Sequence, residues 1–235
     1  MEIFNGTKLD INAVQTLDKN GRLWVTVIAK GTYGIAAEKG EATLAERQRG
    51  LLVRDLFEGE DGLSSPLLEC DFVPVKGACD VVVKGSAHAP QGKPVTELDV
   101  GLQVGPLQKV VHVVGDRRWI KRLGGHDRTR PEPYVRMPLS HGRAFGGMFE
   151  PQAIASSDPA DFLAHPANLV GVGHARGKFL RLIHGSAVPN LEAPDTPIED
   201  PEKLYAPVSL GPLARAWSPR REYAGTYDQE WRDEV

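Results

Sequence analysis

The chain has 235 residues, of which 41% are hydrophobic and 25% are charged, and its formal net charge is −3. This composition supports a buried core, which excludes wholesale disorder, and the charge argues against a general binder of nucleic acid or of membrane surfaces. No apolar run is long enough to cross a bilayer, and the N-terminus lacks the basic and apolar regions of a secretory signal. We therefore expect a cytoplasmic protein.

The first clear strand signal is Leu23–Lys30 (LWVTVIAK), which follows a turn at residues 18–21 whose Asn-Gly pair favours a tight hairpin. Residues 42–44 continue the sheet. Residues 67–73 and 81–88 are predicted as the next strands.

The strongest strand signals lie between residues 80 and 115. Three runs rich in β-branched residues, at 81–83, 98–104 and 110–114, are separated by the turn signals Pro90-Gln91-Gly92 and Gly105-Pro106. β-Branched side chains pack well on a pleated surface, and the spacing suits an antiparallel meander.

The chain changes character near residue 120, because 13 of the 18 prolines follow that point. Frequent prolines exclude long helices and central strands, so we expect long ordered loops wrapped over the β core. Short strands are predicted at 178–183 and near Tyr223, and helical turns at 157–164 and 226–235.

The predicted fold is mainly β, with antiparallel sheets arranged as a sandwich or a partly open barrel, long Pro/Gly-rich loops and few short helices. We expect one domain over residues 1–235, with a strand-rich part at 1–120 and a loop-rich part at 121–235.

Cys70 and Cys79 match no metal knuckle or redox pair. One interpretation places the two cysteines on neighbouring strands. The favoured interpretation is that they are two buried free thiols.

Charge is distributed unevenly along the chain. Residues 108–143 hold nine Lys and Arg against three acids, whereas residues 191–202 hold five acids and no Lys or Arg. Two solvated surfaces are the favoured interpretation. A basic patch that docks an acidic partner is the alternative.

Candidate chemistry is sparse. None of the seven histidines has the spacing of a zinc motif, and residues 171–177 lack the strand and helix that a nucleotide-binding loop needs, so no metal or cofactor is predicted. Glu97 and Asp99 are predicted to lie on one strand face. Two such carboxylates are typical either of a glycoside hydrolase site or of an ordinary strand face exposed to solvent. A hydrolase with a dispersed site therefore stays open.

A carbohydrate-binding β-sandwich is a second alternative. Such a module expects a row of exposed aromatic side chains. The four tryptophans are instead scattered, and Trp24 is predicted to lie in a core strand.

Two loop segments are unusual, residues 137–147 and 115–119, because they combine arginine, aromatic and glycine residues within a few positions. Glycine permits positive φ and close backbone approach, and the guanidinium binds carboxylates or carbonyls. These segments either grip a partner protein or tie irregular backbone together, and the second interpretation is slightly favoured for the 137–147 loop. The candidate partner-binding residues are Arg117, Arg118, Trp119, Arg143, Phe145, Gly146 and Gly147.

Both segments belong to a series of motifs that covers nearly the whole chain: GSAHAPQGKPVTELDVGLQVGPLQKVVHVVGDRRW, MPLSHGRAFGG, NLVGVG, VPNLEAPDTPI and GPLARAWSPRREYAGTYDQEW. In this order they resemble a bacterial family first catalogued as a domain of unknown function. Its members are encoded beside type VI secretion genes, next to PAAR-type spike-tip proteins and toxic effectors.

The resemblance implies a non-enzymatic adaptor or chaperone that loads a PAAR-type effector onto the secretion spike before export. It supplies no catalytic residue, cofactor or metal. The expected partner is the effector or the spike protein, with no nucleic acid and no membrane. Family members extend further after the segment at 225–231, so we expect this chain to be shorter than most of them.

Overall fold

The computed structural model describes residues 3–17, 20–36, 40–73, 79–149, 164–214 and 217–218. Over these residues the protein is mostly β, which confirms the predicted fold class, and its strands form several small sheets without closing into a barrel. Short 3-10 helices occupy Pro90–Gly92, His141–Arg143 and Gly177–Leu182. The strands in chain order are β1 (Asp10–Leu17), β2 (Leu23–Lys30), β3 (Tyr33–Gly34), β4 (Thr43–Leu44), β5 (Leu56–Phe57), β6 (Pro66–Leu68), β7 (Ser86–His88), β8 (Glu97–Val104), β9 (Leu107–Val114), β10 (Arg117–Arg122), β11 (Gly125–Arg128), β12 (Arg136–Pro138), β13 (Phe145–Gly146), β14 (Val172–Gly173), β15 (Ala187–Val188) and β16 (Leu191–Glu192).

A three-stranded sheet of order β16-β9-β8 lies at the centre of the fold. Val104 pairs with Leu107, so Gly105 and Pro106 form the predicted two-residue turn, and Gly105 has the positive φ of 58° that such a turn needs. The strands predicted at 98–104 and 110–114 are thereby confirmed. The late strand β16 covers the second edge of β9, with Leu191 opposite Val113.

Of the strand predicted at 81–88, only Ser86–His88 forms, and it does not join β8 and β9 in a meander. Residues 81–83 are irregular, and β7 pairs with β12, where Ala87 lies opposite Met137. The turn at Pro90–Gly92 redirects the chain, because Gln91 and Gly92 both have positive φ. β-Branched composition favours extended backbone but does not choose the partner strand.

The N-terminal strands β1 and β2 form a hairpin of their own, with Leu17 opposite Leu23. This confirms the predicted strand Leu23–Lys30, while two residues of its turn, 18 and 19, lie outside the described residues. Trp24 lies in this strand but is 50% exposed, so its prediction as a core residue is wrong. Successive side chains of a strand point to opposite faces of the sheet. The face of β2 that carries Trp24 is only partly covered by other residues near the turn.

A second three-stranded sheet has the order β11-β10-β15. Arg122 pairs with Gly125, so Leu123 and Gly124 form a two-residue turn between β10 and β11. On the other edge of β10, Arg117 lies opposite Val188. Residues from the loop-rich part of the chain thus complete the sheets that the strand-rich part begins.

Other predictions are corrected by the described residues. Residues 178–183 lie mostly in the 3-10 helix Gly177–Leu182 instead of a strand, and Phe179 and Ile183 are both buried there. Of residues 67–73, only 67 and 68 are in a strand. Residues 43 and 44 form β4, which pairs with β3 in a separate two-stranded sheet and does not continue the sheet of β2. Cys70 is buried and free, but Cys79 is exposed. β13 and β14 pair in parallel, with Phe145 opposite Val172, whereas antiparallel sheets were predicted.

The strand predicted near Tyr223, the helical turn at 226–235 and all but the last residue of the one at 157–164 lie outside the described residues.

Two apolar clusters form the core. One packs the central sheet against β7 and β12, and the other surrounds Trp119 on β10. The largest fully buried side chains of these clusters include Trp119, Phe145, Ile183, Leu191, Val111 and Val113.

Candidate interaction surface

The segment that opens β10 fastens the interior of the protein. Arg117 is 5% exposed and donates hydrogen bonds to the carboxylate of Glu192 and, at 2.6 Å, to the carbonyl oxygen of Pro189. Trp119 is 1% exposed at the centre of the second core cluster. Arg118 points to the surface and donates to the carbonyl oxygen of Gly185 at 2.8 Å.

Arg143 connects the two unusual loop segments. Its Nη1 donates to Asp116 Oδ1 at 3.0 Å and to Asn190 Oδ1 at 3.1 Å, and Asn190 in turn donates from Nδ2 to Asp116 Oδ1 at 2.9 Å. The Arg143 carbonyl oxygen also accepts the Asn190 N–H at 2.8 Å. Asp116 of one segment thus pairs with Arg143 of the other, and this ion pair joins the two segments to each other.

The glycines of the 137–147 loop permit a close backbone crossing. Gly147 has φ +73°, and a Cβ placed there would collide with the carbonyl oxygen of Gly171. Gly146 has φ +148°, and a Cβ there would collide with Asn168. Asn168 is fully buried and donates from Nδ2 to the carbonyl oxygens of His141 and Phe145 at 2.9 and 3.0 Å. The loop is thus held by its own polar network.

Burial separates the candidate partner-binding residues into two groups. Trp119, Phe145, Gly146, Gly147 and Arg117 are buried, so in this conformation they shape the interior and contact no partner. Arg118 and Arg143 reach the surface, where they line a cleft of about 320 Å³ together with Asp116 and Glu132. This distribution agrees with the interpretation that the loop ties irregular backbone together.

Three histidines pack edge-on against aromatic side chains of the interior. Phe145 makes edge-on contacts with His165, His174 and Tyr205, with ring centroids 5.5, 5.9 and 5.4 Å apart. His141 is 5% exposed and packs edge-on against Trp217 at 5.4 Å. Burial lowers the pKa of His141 to about 4, and burial together with the nearby Arg176 lowers the pKa of His165. His141 and His165 are therefore neutral packing groups at physiological pH.

The acidic pair predicted on one strand face is confirmed in its geometry. His112 lies between the two carboxylates, with its Nδ1 2.6 Å from Asp99 Oδ1 and its Nε2 3.8 Å from Glu97 Oε2. Both carboxylates are more than 60% exposed, at 64% for Glu97 and 62% for Asp99. Across the described residues, no three His, Cys, Asp or Glu side chains are arranged to hold a metal ion.

The N-terminal hairpin exposes a surface that the sequence analysis did not identify. Lys30 pairs with Asp71 at 2.5 Å and the Leu51 N–H donates to Asp10 Oδ2 at 2.7 Å, so one face of the hairpin is fastened to the rest of the protein. The other face carries apolar residues that are 45–70% exposed. We name this the hairpin face; its main residues are Leu17, Leu23, Val25 and Val27.

The register explains why sequence reasoning missed the hairpin face. In β2 the odd positions are apolar and the even positions include Thr26 and Lys30, so a period of two predicts that the odd positions are buried. The structure places the odd positions outward, because Lys30 is drawn to Asp71. One sequence feature could have revealed the hairpin face. The odd positions of β2 are all apolar, while the opposite side of the strand carries Lys30, which pairs with Asp71.

Comparisons with known proteins complete the description. No helix within the described residues is long and apolar enough to cross a membrane. Neither the search of curated proteins nor the search of solved structures returned a match. A family described as an uncharacterized protein conserved in bacteria, DUF2169, matches residues 20–235. Because this match covers most of the sequence, the chain belongs to the DUF2169 family.

Proposed function

We propose that this protein is a non-enzymatic adaptor or chaperone that binds a PAAR-type effector and promotes its loading onto the type VI secretion spike. The observation that carries the proposal is the exposed hairpin face. Leu17, Leu23 and Val27 are 70%, 62% and 65% exposed on one side of a two-stranded sheet. Contiguous apolar surface of this kind marks sites of protein interaction.

The hairpin is built as a rigid support for this face. A two-stranded hairpin alone is marginally stable in water, but the ion pair of Lys30 with Asp71 and the bond from Leu51 to Asp10 attach it to the protein. A docking partner then binds a preformed surface and does not have to order it. An adaptor that holds its cargo until the spike assembles needs such a surface.

The resemblance of the motif series supports the identity of the partner. Members of the resembled family are encoded beside type VI secretion genes and PAAR-type proteins, and the motifs occur here in the same order over nearly the whole chain. The neutral, buried histidines and the solvated carboxylates of β8 fit a protein that binds without performing chemistry.

The test is co-purification with the PAAR-type protein encoded by the adjacent gene, followed by titration of the two purified proteins. We expect a stable complex, and we expect Val25→Lys with Val27→Lys to weaken it at least 10-fold. Val25 and Val27 are 45% and 65% exposed, so covering the exposed part of both contributes about 2 kcal/mol, and a lysine on that face has to be desolvated.

The matched control is Val104→Lys with Leu107→Lys at the β8–β9 turn, where the two side chains are 45% and 51% exposed. The control pair should bind within about twofold of the unaltered protein. If the folded, unaltered protein forms no complex with the PAAR-type protein, the proposed function is wrong.

A further inference from the structure

Two segments that lack acidic residues meet at the second sheet. Residues 117–126 and 164–190 contain no Asp or Glu. The Trp119 N–H donates to the carbonyl oxygen of Ser186 at 3.0 Å, and the Lys121 N–H donates to Nδ1 of His184 at 3.1 Å. The strand β10 and the chain after the 3-10 helix Gly177–Leu182 therefore lie side by side.

This meeting brings exposed cations of the two segments to the β15 side of β10. Ile183 packs with Trp119 in the second core cluster, which holds the end of the 3-10 helix against β10. Arg176 lies close enough to His165 to lower its pKa. The exposed cations of the two segments, which we name the basic surface, are Arg118, Lys121, Arg122, Arg176, Lys178 and Arg181.

Only part of this charge has an ion-pair partner among the described residues. Arg122 pairs with Asp127 at 2.7 Å. Among the described residues, Lys121, Arg176 and Arg181 form no ion pair. The molecule as a whole has a net charge of −3, so the basic surface is a local departure from its average. Neighbouring cations without counter-charges repel one another, and an acidic partner relieves that repulsion.

An apolar residue lies beside these cations. Leu123 is at the turn between β10 and β11, with its side chain fully exposed, and it follows Arg122 directly. Protein–protein interfaces combine apolar anchor residues with polar and charged residues around them. A nucleic-acid backbone gains little from such an anchor.

We infer that the basic surface docks an acidic segment of the effector, with Leu123 as its apolar anchor. The inference rests on the proposed function and adds the chemistry of the contact. A protein partner is favoured over nucleic acid because acidic residues border the surface. Glu199 is 62% exposed where it pairs with Arg128 on β11, and it belongs to the run of five acids at 191–202. A long polyanion would be repelled there, whereas a short acidic segment would not.

The physical signature is a fast, salt-sensitive association. Each exposed ion pair contributes only about 0.2–1 kcal/mol, so the basic surface acts mainly by steering the encounter. The apolar anchor acts on dissociation, because its contact forms only in the docked complex.

The experiment compares Lys121→Glu/Arg176→Glu/Arg181→Glu with the unaltered protein in titrations against the purified PAAR-type protein of the adjacent gene. At 50 mM salt we expect at least a 10-fold loss of affinity, mostly in the association rate. Raising the salt should weaken the unaltered protein more than the variant. Leu123→Asp should raise the dissociation rate.

The matched control is Lys8→Glu/Arg47→Glu/Lys93→Glu, which reverses the same number of exposed cations elsewhere and should stay within about twofold. Unchanged affinity of the basic-surface variant, with the unaltered protein still binding, overturns this inference alone. No binding by the unaltered protein overturns the proposed function and this inference together. Tighter binding to a 20-base-pair DNA duplex than to the PAAR-type protein at 150 mM salt assigns the surface to nucleic acid and also overturns it.

Discussion

Arg117 and Glu192 form an ion pair in the protein interior, although 75 positions separate them in the chain. Their side chains are 5% and 2% exposed. The pair joins the basic region at 108–143 to the acidic run at 191–202, and the surface pair of Arg128 with Glu199 at 2.9 Å does the same. Part of the charge asymmetry in the sequence is thus satisfied within the protein.

We expect Glu192→Ala to lower the free energy of unfolding by about 3–5 kcal/mol, because it leaves the Arg117 guanidinium buried without a counter-charge. Urea denaturation measures the loss. The double variant Arg117→Met/Glu192→Leu removes both charges and should recover most of the stability. A double variant no more stable than Glu192→Ala would show that the pair is not the source of the effect.

Acidification should destabilise the protein through His141. Its pKa in the folded protein is about 4, below the 6.5 of an unfolded chain, so folding favours the neutral imidazole. The stabilisation is complete above about pH 6.5 and is lost as the pH falls towards 4, by about 3 kcal/mol in all. Urea denaturation between pH 7 and pH 4 measures it.

The matching variant is His141→Gln, which cannot titrate. It should flatten the pH dependence of stability over this window, while the contribution of His165, whose pKa is also lowered, remains. Parallel curves for the variant and the unaltered protein would contradict the assignment.

The backbone crossing at Gly147 should tolerate no side chain. Gly147→Ala combines a positive φ with a collision against Gly171, and we expect a loss of more than about 2 kcal/mol in the free energy of unfolding. Gly62→Ala is the control, because Gly62 has φ +80° and nothing within 4 Å of an added Cβ. It should lose only about 1 kcal/mol. Equal losses at the two positions would remove the collision from the explanation.

The attachment of the N-terminal hairpin should depend on Asp71, whose Oδ2 accepts from Lys30 Nζ at 2.5 Å and from the Leu52 N–H at 2.6 Å. In Asp71→Ala we expect amide hydrogen exchange in β1 and β2 to accelerate at least 10-fold, with β8 and β9 unchanged. Asp61→Ala, which breaks an exposed pair with Arg54 at 3.6 Å, should leave all four strands as they are. Acceleration in every strand would indicate global destabilisation instead.

Local signals predicted local structure well. The two-residue turn at Gly105 and Pro106 and the strands on either side of it follow from turn chemistry and β-branched composition, which act within a few residues. The same signals could not place β7 against β12, since the partner of a strand depends on packing between residues 50 positions apart, as between Arg136 and Ser86.

For the candidate site, the sequence indicated which residues are unusual but not which of them are buried and which are exposed. Arg143 and Gly147 stood out because their types are needed at a tight crossing, and the structure shows that crossing. The hairpin face was missed because an apolar period of two predicts burial. The basic patch at 108–143 was predicted as an alternative, but the contribution of residues 176–181 was not, because the two segments lie about 60 positions apart, as for Lys121 and His184.

The late arrival of β16 has a consequence for biosynthesis. On the ribosome, β8 and β9 emerge first, and one edge of β9 keeps its backbone groups unpaired until Leu191 and Glu192 have been made, nearly 80 residues later. At about 5–20 residues per second, that interval lasts roughly 4–16 seconds. During it, the nascent polypeptide presents an open template for wrong strand pairing, so production of this protein should respond strongly to factors that shield emerging chains.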